Sequence, residues 1–128
     1  MAKITGRVEV LVNNQLLLNK SGAVASGIGI SNEPSMELEG IYGDTGLHGF
    51  VEKPVPAQLE VTITDREDIK LSDLAKIREN GTIIFRAANG GKSYTMEGAT
   101  CLRNFSITGG EGETPIKFQG PFWTESTQ

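Results

Sequence analysis

Leu47-His48-Gly49-Phe50-Val51-Glu52-Lys53-Pro54-Val55-Pro56-Ala57-Gln58-Leu59-Glu60-Val61-Thr62-Ile63-Thr64 joins a glycine-hinged entry, a rigid proline pair and a cleanly alternating run. Pro54 and Pro56 fix φ and withhold backbone donors, so 53–56 is extended and excluded from a central ladder. Val55, preceding a proline, is pushed the same way. After Ala57 the pattern has period two. Leu59, Val61 and Ile63 point to one side and Glu60, Thr62 and Thr64 to the other, which predicts a strand with one apolar and one wet face.

Working outward, the same period recurs. Val8, Val10 and Val12 alternate with Arg7, Glu9 and Leu11, and Asn13-Asn14 supplies the positive φ of a tight hairpin before Gln15 to Leu18. Val24, Ile28 and Ile30 are expected to form an apolar face, with Ala23, Ala25, Gly27 and Gly29 opposite, small enough for another backbone to approach. Residues 82–88, 92–97, 99–107 and 116–119 alternate as well, punctuated by Asn89-Gly90-Gly91 and Gly109-Gly110-Glu111-Gly112. One helix is expected around Leu71-Ser72-Asp73-Leu74-Ala75-Lys76-Ile77-Arg78. Leu71, Leu74 and Ile77 share a face, Asp68 or Ser72 would cap it, Lys76 and Arg78 would sit in its last turn, and Asn80-Gly81 would stop it. Residues 31–48, with Pro34, Gly40, Gly43, Gly46 and the carboxylates Glu33, Glu37, Glu39 and Asp44, read as a long acidic loop containing at most a short strand at 36–38. Phe122-Trp123 opens a short C-terminal tail, 121–128, whose aromatics suggest docking. The expected fold is mainly β: a β-sandwich or partly open barrel of about eight strands with one short flanking α-helix.

A chain of 128 residues suits one domain, 1–128, with a core that needs no staples. A net charge of −4 disfavours tight binding to DNA or to an anionic membrane. Cys101 is the only cysteine, which points to a reducing compartment. The N-terminus has no apolar core of a signal peptide, and no apolar run approaches the ~18 residues of a membrane span. The sequon matches at Asn19 and Asn104 are therefore read as chance.

Chemistry is sparse. His48 is the only histidine; an assembled triad with Asp44 is weaker than a plain loop histidine. One His and one Cys do not make a zinc site, and the acidic residues lack calcium-loop spacing, so no metal and no cofactor are expected. Gly27-Ile28-Gly29 lacks the third glycine and helix of a dinucleotide site, and Gly91-Lys92-Ser93 lacks the first glycine of a phosphate loop. The chain reads as a non-enzyme. Two classes remain: a self-assembling structural subunit, and a small β-sandwich module binding carbohydrate or protein on an aromatic platform at Phe122 and Trp123.

One resemblance bears on that choice. His48-Gly49-Phe50-x-Glu52-Lys53-Pro54-Val55-Pro56-Ala57-x-Leu59-Glu60-x-Thr62-Ile63 resembles the tail tube protein of Mu-like contractile-tailed bacteriophages. The likeness extends to Ile4-Thr5-Gly6-Arg7, Leu71-x-x-Leu74-x-x-Ile77, Gly91-Lys92-Ser93-Tyr94 and Gly109-Gly110…Ile116-Lys117-Phe118-Gln119-Gly120-Pro121. It implies a virion protein forming stacked hexameric rings around a lumen through which DNA passes without being held. It also implies assembly in the bacterial cytoplasm, with sheath, baseplate and tail terminator proteins as partners. A tailocin or contractile secretion particle would use the same fold. On this reading Glu60, Thr62, Thr64, Lys117 and Gln119 are expected to face the lumen. The acidic loop with Glu33, Glu37, Glu39 and Asp44 is expected to touch the neighbouring ring.

Overall fold

The computed structural model describes residues 5–127 except 18, 21, 66, 68, 69, 89 and 104. The strand at the centre of the sequence reading is present as β6 (Ala57–Thr64), with Ala57, Leu59, Val61 and Ile63 all buried. Around it the described residues form β1 (Val8–Val12), β2 (Gln15–Leu17), β3 (Val24–Ser26), β4 (Met36–Gly43), β5 (Gly46–Pro54), β7 (Gly81–Ala87), β8 (Lys92–Cys101), β9 (Glu113–Gly120) and β10 (Thr124–Thr127), with one helix, α1 (Leu71–Ala75). Eight strands make one sheet in the order β2-β1-β7-β8-β9-β6-β3, with β10 added to β8; β4 and β5 pair only with each other.

The large sheet doubles back on itself. Strand β8 is the shared element: it pairs with β7 along 93–99 and with β10 along 92–95, and its end, Thr100 and Cys101, pairs with β9. Gly98, at φ +73°, sits at the register shift between the two halves, the place where a bulge can bend a strand. At the opposite corner Asn19 bridges to Ile63, and the Lys20 N–H donates to the Thr62 carbonyl at 2.8 Å. The result is a partly open barrel rather than a closed ladder. Its interior holds Val10, Val12, Leu17, Ile83 and Phe85 from one half and Leu59, Val61, Ile63, Ile116 and Phe118 from the other. The first hairpin turns through Asn13 and Asn14, both at positive φ, as their sequence suggested.

The helix is held by packing. Leu74 and Ile77 enter the core, the Cys101 N–H donates to the Ile77 carbonyl, and Arg103 Nε donates to the Ala75 carbonyl at 2.9 Å. Those last two bonds satisfy carbonyls that a short helix leaves open. Ser72 lies inside the helix rather than capping it, Lys70 stands at the N-cap without a side-chain bond, and the other expected cap, Asp68, lies outside the described residues. The helix ends at Ala75, before Lys76 and Arg78, and the left-handed residue is Glu79 rather than the Asn80-Gly81 pair.

Three expectations are corrected. Residues 31–48 are not a loop: β4 and the start of β5 make a hairpin whose far turn is Asp44-Thr45. The C-terminal tail docks, as its aromatics suggested: β10 extends the sheet and Trp123 is 2% exposed. The two faces of 23–30 are exchanged. Ala23 and Ala25 pack toward the core, while Val24, Ile28 and Ile30 are exposed. The barrel wall is close there, and only small side chains fit inside it. Gly27, at φ +73°, is the limiting case, since a Cβ would lie 2.0 Å from the Pro56 carbonyl oxygen. Beyond Cys101 the described residues of 102–107 do not form a strand.

Ile63→Asp places a carboxylate at a fully buried position of β6, a cost of roughly 4 kcal/mol or more. The variant should lose its cooperative thermal transition. Thr114 is buried opposite Ile63, and its Oγ1 has no hydrogen-bond partner among the described residues. Thr114→Val should therefore raise stability by about 1 kcal/mol in a denaturant titration.

Candidate assembly surfaces

Two surfaces stand out once the barrel is built. The first is the outer face of β3, β6, β9 and the end of β8. Register sets its rows: Val24 opposes Glu60 and Glu60 opposes Lys117, while Ser26, Gln58, Gln119 and Thr100 line up across four strands. Four of the five residues expected to face a lumen, Glu60, Thr62, Lys117 and Gln119, lie on this face with Thr64 at its end. Lys117 Nζ lies 3.8 Å from Glu60 Oε1, so the two charges at its centre largely cancel. The rest of the face is the amides and hydroxyls of Ser26, Gln58, Thr62, Gln119 and Thr100, with Val24 and Pro115 among them. Gln58 belongs to it and was missed in the sequence, although it stands two residues before Glu60 in the same alternation.

The corner of this face is pinned by charge. Lys20 Nζ donates to Glu113 Oε1 at 2.7 Å. That hydrogen bond holds the Glu113 carboxyl below its usual range and raises the lysine above its own.

The second surface is the ribbon of β4 and β5. About eight residues at ~3.3 Å each carry it ~26 Å from its root. Its cross-strand pairs sort the side chains into two faces. Glu37, Glu39, Val51 and Lys53 share one, where Lys53 forms an ion pair with Glu39. The other carries Glu52, directly opposite Leu38, and the apolar Met36, Leu38, Tyr42, Leu47 and Phe50; Tyr42 and Leu47 lie over Gly40, which has no side chain to separate them. All five apolar side chains are exposed: Leu38 and Phe50 at 62%, Tyr42 at 73%. The acidic residues expected to act together are spread out. Glu33 is in the turn before the ribbon, Glu37 and Glu39 are on its polar face, and Asp44 is at its tip.

The remaining chemistry is dispersed. The His48 ring lies against Gly43 on the ribbon and is exposed. Cys101 is buried, and that burial pushes its thiol pKa up, away from nucleophilic use. Among the described residues no three His, Cys, Asp or Glu side chains gather as a metal site. An open groove of about 870 Å³ between β1, β2 and Phe85 is lined by Val8, Leu16 and Leu17, and its Glu9 is engaged by Arg86 at 2.8 Å. Trp123, one half of the supposed aromatic platform, is buried and donates its Nε1–H to the Ser26 carbonyl. No described helix is long and apolar enough to cross a membrane.

A doubled-back sheet with a neutral polar face and a protruding apolar ribbon is a shape that can be compared. The model of the phage tail tube protein family matches residues 1–125. The chain belongs to that family. Among solved structures it is similar to a chain of the PVC sheath–tube complex, from an extracellular contractile injection system in its extended state. That match has TM-score 0.63 and 12% identity, covering 100% of this chain and 93% of that one. It is also similar to a chain of the tube-terminating cap of the anti-feeding prophage, with TM-score 0.62 and 12% identity over 95% and 89%. A chain of the PVC sheath/tube terminator gives TM-score 0.57 and 14% identity, over 94% of each. At such identities these matches establish a shared fold. No curated protein matches the chain. Family membership makes this tail tube protein a structural component of a tube.

The Lys20–Glu113 pair sets a pH window. The Glu113 pKa is lowered in the folded state, so its contribution is present above the ordinary carboxylate range and is lost as pH falls through the lowered value. The Lys20 pKa is raised, so its contribution is lost only as pH rises through that higher value. Protection of the Lys20 amide, measured by hydrogen exchange, should fall at both ends of that window relative to the β7 amides. Glu113→Gln should abolish the acid-side dependence.

Proposed function

We propose that this chain is the repeating subunit of the inner tube of a contractile phage tail. It self-assembles into hexameric rings that stack, inside a sheath and between a baseplate and a terminator, and DNA leaves the virion through the lumen. The subunit is made and assembled in the bacterial cytoplasm and catalyses nothing.

The observation that carries this reading is the ribbon. A two-stranded ribbon is marginal in water by itself, and this one holds out an apolar face with no other strand against it. Exposed apolar area of that size is what a subunit contact covers. A head-to-tail contact on a closed ring or stack supplies the cover with identical copies. The ribbon's reach suits contact with an adjacent ring, with Asp44 meeting it first and Glu37 and Glu39 on its flank. The polar face of β3, β6 and β9 then suits the lumen, with Glu60, Thr62, Thr64, Lys117 and Gln119 lining it. A wall whose charges cancel neither binds nor strongly repels a passing polyanion.

A second reading shares everything except the cargo. The similar structures come from contractile injection systems, so the tube could belong to a tailocin or secretion particle that carries no genome. Nucleic acid in purified particles separates the two.

Leu38→Asp with Phe50→Asp should leave a folded subunit with wild-type thermal stability, since neither side chain is in the core. Electron micrographs of the variant should show no stacked tubes where the parent chain forms them. Normal tubes from the double variant would remove the ribbon from assembly.

A further inference from the structure

The ribbon has to be aimed, and its two attachments to the barrel differ. The outgoing one is short and stiff, with β5 ending at Pro54 and β6 starting at Ala57 after Pro56. The incoming one, residues 27–35, joins no ladder and contains two close-packed glycines, Gly27 and Gly29. Only the Val55 N–H to Ser35 carbonyl bond, at 3.0 Å, ties the two attachments to each other.

What holds the incoming segment is the far end of the chain. Trp123 Nε1 donates to the Ser26 carbonyl at 2.9 Å, and the Asn32 N–H donates to the Trp123 carbonyl at 3.3 Å. The Thr124 hydroxyl donates to Asn32 Oδ1 at 2.8 Å, and the Glu125 N–H donates to Ser31 Oγ at 3.0 Å. Asn32 stands at φ +67°, in a turn closed by the Glu33 N–H to Ile30 carbonyl bond. Three bonds to Trp123, Thr124 and Glu125 therefore hold Ser31 and Asn32 at the ribbon's root, and a fourth ties Trp123 to the end of β3. The Glu125 N–H comes from the side of β10 that faces away from β8, so an edge donor of the sheet is spent on Ser31.

We propose that β10 is a latch that sets the direction of the ribbon. With the latch closed, the incoming segment is pinned to the barrel. With it open, the ribbon turns about Gly27–Gly29 and the proline pair while the barrel stays folded. Because the latch uses an edge donor of β10, a neighbouring strand that pairs with that edge competes with Ser31 for the same N–H. Lateral contact and ribbon direction are thereby linked.

The test uses the unassembled chain, so its outcome does not depend on the tube reading. Ser31→Ala with Thr124→Val removes two of the four bonds and leaves Trp123 in the core. Each lost hydrogen bond is worth about a fivefold change in local opening. Amides of Asn32, Glu33 and Glu125 should exchange at least fivefold faster, and a protease should cut within 28–35 sooner. Ile83 and Phe85 amides in β7 should be unchanged. Unaltered exchange at 32–33 would overturn the latch. So would equal acceleration across β7, which would make β10 a general brace. Ser31→Thr, which keeps the acceptor, should restore the slow exchange.

Discussion

Ala57, Leu59, Val61 and Ile63 leave water together, and that single alternating face sets most of what surrounds it. Each large aliphatic side chain is worth about 1.5–3 kcal/mol on burial, and the four lie on a strand flanked by others along its length. Strand β9 covers one edge throughout. On the other edge β3 covers the first half, and Asn19 with Lys20 covers the second. Burying one face forces the sheet to fold over it, which is why β8 must bend at Gly98 to serve both halves. The helix follows from the same need, because Leu74 and Ile77 fill the end of the interior. Its own propensity could not sustain five residues.

Period-two patterning made this part of the molecule legible. The valines of β1, the tight Asn13-Asn14 turn, Ile83 and Phe85, and Ile116 with Phe118 all declare their faces in the sequence. The pattern misleads where burial follows room rather than hydrophobicity. Along 23–30 the larger residues are outside because Pro56 and Ser35 press against the glycines inside. Chemistry at the helix ends was also misread, since packing and the bonds from Cys101 and Arg103 replaced side-chain caps. The C-terminal strand carries no apolar alternation at all. Thr-Glu-Ser-Thr pairs with β8 because an open edge was available, a fact of topology that local sequence does not encode.

The ribbon was the hardest element to read, for a physical reason. A strand is recognised by one apolar face turned to a core, but β4 and β5 have no core to turn to. Met36 and Leu38 alternate with Glu37 and Glu39, yet Gly40, Gly43, Gly46 and Gly49 interrupt the signal and imitate a loop. Those glycines have structural work: Gly40 admits the Tyr42 ring and Leu47, and Gly43 admits His48. Of the residues expected to act together, Glu60, Thr62, Lys117 and Gln119 share one outer face because they sit on the patterned strands. The acidic group was found as a composition and not as an arrangement.

The two faces of the ribbon make opposite demands on assembly. The apolar face would associate with any exposed apolar surface, including another free ribbon. Its carboxylates oppose that: residues 31–54 hold five acids and one lysine, and in a chain of net charge −4 the remainder is balanced. Free ribbons therefore repel one another over roughly a Debye length, about 8–10 Å at physiological salt. A contact that buries Leu38 and Phe50 keeps the apolar gain with Glu37, Glu39 and Asp44 left in water, but it must also give Glu52, opposite Leu38 on the same face, a cationic partner or access to solvent. Charge thus restricts what the ribbon can lie against, while the apolar stripe supplies the affinity.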